Sequence, residues 1–372
     1  MSDTVTRAER GKYVGYAFMG VALGPALGPT IGGLLTQFLG WRSIFWFLTV
    51  VAVVMLVIVV CFLPETCRSI VGNGSIPPQP WNISLLSYLR QRKLQEARVG
   101  PVAEAQLRTL ARRRRRPNPL EALSIATEKE TGMIILTSAL LYAGFFSVLS
   151  SLPSQLQAKF NFNSLRIGLC YLPYGLGGFS ARWTVGPIMD WNFRRHARRL
   201  GMEIVKNRQQ KISDFPLEVA RLQITLPFLY AACAAIVTYS WVMEFRTNLA
   251  GPLIALFFLG LTVTGATNSL NTLVVDCHQQ RPATATAANN LFRCLFGAGA
   301  VAVAVPMIDR IGVGWTGTFV AGLWIVFSPG LWAVKRWGQG WREEKRSNEK
   351  FGEAEGVSIT RVVDHEAHDD EK

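Results

Sequence analysis

Charge is scarce in this chain. Only 17% of its 372 residues are Asp, Glu, Lys or Arg, while 49% are hydrophobic. An ordinary soluble protein carries roughly 25% charged residues. Length alone suggests two or three soluble domains, and the shortage of charge excludes them. The charges present gather in short basic clusters between long apolar stretches. Acidic residues are the scarcer sign, 25 against 39 basic, for a net charge of +14. In a soluble protein that excess points to nucleic acid. Here the basic residues lie between apolar runs, where they set topology, so no nucleic-acid partner is expected. The composition is that of an all-α integral membrane protein whose partner is the lipid bilayer.

Other absences narrow the function. The six cysteines form no CxxC pair, and most lie in or beside apolar segments. They read as reduced packing residues, with no disulfide framework and no metal site. No GxxxxGK[ST] loop is present, so ATP hydrolysis is not the energy source. No catalytic triad or zinc spacing appears, and His196 and His278 stand alone. No catalytic residue and no cofactor is expected, and the chain does not read as an enzyme. The start, MSDTVTRAERGKY, is polar and basic, without the apolar core of a cleavable signal.

A hydrocarbon core of roughly 30 Å takes about 20 apolar residues as helix. Eight stretches qualify, near 13–38, 44–63, 133–152, 167–189, 224–242, 252–275, 289–308 and 314–334. The segment 64–130 holds twelve Lys and Arg, including the run Arg112–Arg116, and the segment 190–222 holds eight. The alternate connections are nearly bare. Both basic loops therefore face the cytosol, and an even number of spans puts both termini there too. The run ARRRRRPNPL has a nuclear-localisation reading, but in a loop between spans topology and anionic-lipid contact are the plainer roles. A short surface helix is expected at LSYLRQRKLQEA. The sequons at Asn73 and Asn82 should stay unmodified on the cytosolic side. The expected divisions are the first two spans at 1–63, a basic central loop at 64–130, six spans at 131–337, and a disordered polar tail at 338–372. The tail's HEAHDD is a weak metal-like cluster, and disorder is the reading preferred for it.

The first span contains GVALGPALGPTIGG, with Gly20, Gly24, Gly28 and Gly32 four apart and Pro25 and Pro29 between them. Helical spacing puts the four glycines along one slowly turning stripe, where a second helix can come close. The prolines remove two backbone bonds and should bend the helix. A dinucleotide turn is excluded, because no strand precedes the run and the GxGxxG spacing is absent. Taken on the residues alone, the helix is either a structural packing element or part of a working site.

At this point the sequence resembles a family. Gly15, Gly24, Gly28-Pro29 and Gly32-Gly33 are similar to the antiporter signature of the major facilitator superfamily, found in the fifth span of twelve-span drug:proton antiporters. RAERGKY before the run, and LGWRSIFWF and LPET after it, resemble the fungal branch. GLCYLPYG at 168–175 resembles the start of that family's eighth span. GPIMD followed by Arg194-Arg195 resembles its second, degenerate GxxxD…RR loop motif, and RPATATAANNLFRC at 281–294 the start of its eleventh span. The resemblance covers about residues 7–335. It implies a helical bundle of two halves around a central cavity, working by alternating access. It also implies that these eight spans match spans five to twelve, as expected of a truncated chain or a reduced paralogue.

On the resemblance, the chain is a secondary transporter that exports drugs, a secondary metabolite or other small organic molecules. Proton antiport drives it, and it sits in the plasma membrane. The alternative is a non-transporting remnant or a partner subunit. Gly15, Gly24, Gly28, Pro29, Gly32 and Gly33 are expected to pack the antiporter helix against the other half. Gly186, Asp190, Arg194 and Arg195 are expected to form a gating loop. Arg182 either snorkels to the interface or attracts anions in the cavity. Asn289, Asn290 and Arg293 form a polar patch at the start of the next-to-last span. Asn268 and Asn271 either line a cavity or join helices by hydrogen bonds. Tyr171 and Tyr174, with Tyr142, Phe145 and Phe146, suit a cavity for flat organic molecules, and membrane aromatics also serve as interface anchors.

Overall fold

A computed structural model describes residues 10–63, 84–86, 120–201, 216–245, 248–278 and 282–369. Side chains are described from Gly24 onward in the first helix and up to Glu344 in the last. Among the described residues there is no strand. The helices are α1 (Arg10–Leu39), α2 (Arg42–Phe62), α3 (Leu120–Thr127), α4 (Lys129–Phe160), α5 (Ser164–Leu169), α6 (Leu172–Arg199), α7 (Leu217–Glu244), α8 (Ala250–Cys277) and α9 (Pro282–Asp369). The expected helix at LSYLRQRKLQEA, the Arg112–Arg116 run, both sequons and the HEAHDD side chains lie outside the described residues.

Five described helices are long and apolar enough to cross a membrane: α2, α4, α7, α8 and α9. They account for most of the eight expected spans, because α9 is two spans joined at a break. Gly312 there has φ 82° and ψ 166°, a conformation that costs any residue with a Cβ. Glu244, at the end of α7, accepts hydrogen bonds from the Val313 N–H (2.8 Å) and the Gly314 N–H (3.4 Å). It thereby satisfies backbone donors that open the second segment. Lys159 Nζ reaches the Met243 carbonyl at 2.8 Å and the Glu244 carboxylate at 3.8 Å. The turn is thus held by charge as well as by backbone.

The expected fourth span, 167–189, is broken in two. α5 stops at Leu169 and α6 starts at Leu172. Pro173 cannot donate the bond that would join them. The apparent tail is a second difference. The segment 338–372, expected to be disordered, continues α9 as helix to Asp369. Its Glu and Lys content favours helix, and Gln339 donates to Glu343 one turn on, at 3.1 Å.

The chain forms two compact units. One comprises Met1–Asn118, Phe162–Leu172 and Val205–Gln209; the other comprises Pro119–Asn161, Pro173–Ile204 and Gln210–Lys372. In the first unit none of the residues of α2 is buried, although its mean hydropathy is 3.1. Such an all-round apolar helix suits lipid rather than water. In the second unit α4, α7 and α8 pack with α9. The core includes Ile134, Leu141, Leu152, Leu222, Leu229, Ile236, Leu256 and Trp324, each nearly inaccessible. Trp324 donates to the Leu140 carbonyl at 2.9 Å and lies against Gly144, where a Cβ would come within 2.5 Å of its ring. Small residues at such contacts let helices in lipid approach closely.

Aromatics mark the two ends of the last span. Trp241, Phe245 and Trp315 cluster at one end, with Trp241 donating to Thr318 at 3.1 Å. Trp332 and Trp337 lie toward the other. From Trp315 to Trp332 the helix rises roughly 26 Å at 1.5 Å per residue, close to the thickness of a hydrocarbon core.

Candidate functional site

The antiporter-signature residues all lie on α1. Gly15 is in its helical part before the described side chains. Gly24 and Gly28 have open space around them among the described residues, and Gly32 meets only the Ile44 side chain at 3.9 Å. The close approach is at the end of the motif. A Cβ on Gly33 would overlap the Ser164 carbonyl and lie 3.3 Å from the Gly168 Cα. A Cβ on Gly168 would lie 2.6 Å from the Pro29 carbonyl oxygen and 3.1 Å from the Thr30 Cα. Thr30 Oγ1 donates to the Gly168 carbonyl at 3.0 Å and to the Ala26 carbonyl at 2.9 Å. Gly168 of α5 and Gly33 of the signature thus each lie against the backbone of the other helix. α5 itself is started by Asn163, whose side chain accepts from the Arg166 N–H at 3.1 Å. Leucine at Gly33 should force α1 and α5 apart and lower the melting temperature of the full chain. Wild-type melting in Gly33→Leu would contradict this contact.

The expected gating loop is not a loop. Gly186, Asp190, Arg194 and Arg195 lie within the continuous helix α6. After Pro187 nothing in MDWNFRRHARR breaks a helix, and an i,i+4 spacing puts Asp190 and Arg194 on one face. A Cβ on Gly186 would meet no neighbouring element within 4 Å among the described residues. No ion pair joins Asp190 to Arg194 or Arg195 among the described residues. Instead Arg195 lies over the Trp191 ring at 5.5 Å. Asp190, Trp191, Arg194, Arg195 and Arg198 line one open, basic hollow. The anchor of this part of α6 is Asn192, which no motif or spacing singles out. It is buried and donates to the Ala220 carbonyl at 2.7 Å, while His196 meets Gln223 at 3.0 Å.

The second unit gathers several of the expected cavity residues. Asn289 on α9 donates to Asn271 Oδ1 on α8 at 3.2 Å. Asn289 is 2% exposed, and its own Oδ1 accepts no hydrogen bond. One turn along α9, the Arg293 guanidinium sits over the Tyr142 ring at 4.1 Å, and its Nε is buried without an acceptor. Tyr142 meets Phe145 edge-on at 5.4 Å. Phe145 stacks on Tyr174 at 4.8 Å and 17°. The stack thus runs from a cation to Tyr174, which is buried beside Thr264. Phe146 contacts both Tyr142 and Phe145, with centroids 5.0 Å away in each case.

Other expected residues fall outside this cluster. Asn290 is exposed, Asn268 and Arg182 are half-buried, and Asn268 serves Thr272 as a backbone acceptor at 2.8 Å. Tyr171 is buried in the first unit, just before α6. Asp276, an acidic residue near a span end, is paired with Arg221 at 3.1 Å. The described residues thus supply an unused carbonyl acceptor on Asn289, an unused donor on Arg293 and an aromatic wall. Such a site suits a small organic molecule with a polar or anionic group at one end.

The family model described as Major Facilitator Superfamily matches residues 1–302. The chain is 42% identical over 359 residues to MFS-type transporter R5 of a Phoma species, covering 96% of this chain and 67% of that protein. It is 43% identical over 343 residues to MFS-type transporter clz19 of Cochliobolus lunatus, covering 92% and 64%. It is also 33% identical over 354 residues to Citrate exporter 1 of Aspergillus niger, covering 93% and 65%. The chain therefore spans about two thirds of the length of these relatives.

Proposed function

The chain belongs to the major facilitator superfamily, and on that premise we propose that it serves in the export of small organic molecules across the plasma membrane by proton antiport. The observation that carries the reading is the Arg293–Tyr142–Phe145–Tyr174 stack with Asn289 beside it. A guanidinium on an aromatic face keeps its charge while shedding water, and so it can exchange that face for a carboxylate at modest cost. The aromatic wall then takes the carbon skeleton. Drugs, secondary metabolites with an acidic group, and simple organic acids all fit this description. The similarity to a protein named as a citrate exporter favours the acids. Access would alternate as two halves rock about the site.

The proposal is tested in liposomes containing the purified chain. A pH gradient should drive labelled citrate, or a flat aromatic acid as the second probe, at several times the rate seen without the gradient. Flux of either probe that ignores the gradient would rule out proton antiport. No flux of either probe would mean that the chain by itself is not the exporter.

A further inference from the structure

One end of the second unit holds a buried set of ionisable side chains that no transport step above uses. Glu130 lies in the first turn of α4, before the apolar span that begins at Met133. Glu218 lies in the first turn of α7, Cys277 is the last residue of α8, and Arg342 lies on α9 beyond its last span. Glu218 is fully buried, Arg342 is 6% exposed and Glu130 is 9% exposed. One ligand-type atom from each of Glu130, Glu218 and Cys277 falls within 4.8 Å of the others. Arg342 NH1 lies 3.2 Å from Glu218 Oε1. The Cys277 thiol donates to Glu130 Oε1 at 3.4 Å. α9 comes close because residue 338 is glycine: a Cβ there would be 2.9 Å from the Glu218 Cγ.

The charges do not balance. Two carboxylates face one guanidinium, and a net negative charge in a buried site is expensive. Among the described residues, the surrounding groups offer no second cation. Arg221 of α7 is engaged with Asp276 of α8 at 3.1 Å. His278, following α8, faces Glu128 at 2.9 Å, and Lys129 is exposed. The described side chains of α3, from Ala122 to Thr127, include no titratable group. The hydrogen bonds do not balance either. Apart from the Arg342 ion pair, both Glu218 carboxylate oxygens are buried and accept no hydrogen bond. One proton on Glu130 corrects both deficits, because it removes the surplus charge and gives Glu218 a donor.

We propose that Glu130 holds a proton which it donates in a hydrogen bond to Glu218, and that this proton closes a latch between the start of α4, the start of α7 and the Arg342 segment of α9. Burial and the neighbouring Glu218 push the Glu130 carboxyl up from its ordinary 4.5 to about 7. The sign follows from proton counting. Between these two values the closed latch binds more protons than the open one, so closure weakens as pH rises through this window and changes no further above it. The latch is thus tightest in acid and opens toward neutral and alkaline pH. The occupant is a proton rather than a divalent cation, because Arg342 already fills the cation's place beside Glu218.

The test reads the alkylation rate of Cys277 by peptide mass spectrometry on the full chain, since the thiol is half-buried and donates to Glu130 in the closed latch and is released when the latch opens. Glu130→Gln keeps the shape and fixes the site neutral, so the ratio of wild-type to variant rates cancels the thiol's own ionisation. That ratio should rise on the order of fiftyfold between pH 5 and pH 8. Glu218→Gln leaves one carboxylate for one guanidinium, removes the need for the proton, and should give the same rising ratio. It carries the comparison if Glu130→Gln does not fold. A ratio that stays flat over this range overturns the proposal. So does labelling that a chelator unmasks at constant pH, which would place a metal ion in the cluster.

Discussion

Leucine at Gly177 should leave no correctly folded second unit. A Cβ at that position would overlap the Phe257 carbonyl oxygen and lie 2.9 Å from its carbon and 3.0 Å from the Leu261 nitrogen. The obstacle is backbone, which cannot rotate away as a side chain can. The contact is reciprocal, since a Cβ at Gly260 would overlap the Tyr174 carbonyl. α6 and α8 therefore meet main chain to main chain, and Ala181, Val185 and Met189 of α6 form a core cluster with Ile224 of α7, against which Leu261 of α8 packs. Overpacking of an adaptable core costs about 1–3 kcal/mol, and a rigid obstacle should exceed that. The expected readout is an aggregated profile in size-exclusion chromatography, with alanine giving a milder loss of thermal stability. A monodisperse Gly177→Leu protein with wild-type melting would refute the contact. The substitution also displaces Tyr174, which stacks on Phe145, so any surviving protein should bind substrate poorly.

Alanine at Arg293 should have the opposite profile, with the fold intact and transport lost. The side chain is half-buried on α9, and its known contact is the Tyr142 face. Losing that contact costs about 1 kcal/mol. Losing a charge-assisted bond to an anionic substrate costs about 1.5–3 kcal/mol, or roughly ten- to a hundredfold in transport efficiency. Lysine should not restore the wild-type rate, because an ammonium neither stacks on the ring nor binds a carboxylate through two parallel bonds. The measurement is gradient-driven flux of an organic acid against that of an uncharged aromatic probe. An equal fall for both probes would assign Arg293 a structural role, and no fall for the acid would remove it from the site.

Composition and the spacing of apolar runs settle the class of this protein and the places of most of its helices. Scarce charge and apolar runs of spanning length leave helices in lipid as the one solution for a backbone without water to bond to. The family followed from the motifs. Local chemistry decided helix existence, because each span satisfies its own backbone bonds. It was less reliable for where a helix stops. The turn at Gly312 was legible as a gap between two apolar runs, but the break after Leu169 interrupts an apolar run without any polar signal. The 338–372 segment shows the reverse error, since polar composition suggested disorder where good helix formers continue α9.

Pairings across the chain were decided only by tertiary structure. The signature named Gly15, Gly24, Gly28, Pro29, Gly32 and Gly33 alike, and the close approach is at Gly33 alone of the described glycines among them, against α5 near Gly168, 135 positions away in number but adjacent in space. Asn271, Asn289 and Arg293 were legible as unusual polar residues in apolar spans. Their aromatic counterparts were not distinguishable from interface anchors, because the same ring serves either role according to which way its helix faces. The Glu130, Glu218, Cys277 and Arg342 cluster left no trace in the sequence. Each member looks like an ordinary polar residue at or beyond the end of a span, and only the convergence of three helix ends with the Arg342 segment of α9 turns them into a buried, unbalanced charge. Periodicity fixes one helix at a time; the free energy of a buried charge depends on what the other helices bring to it.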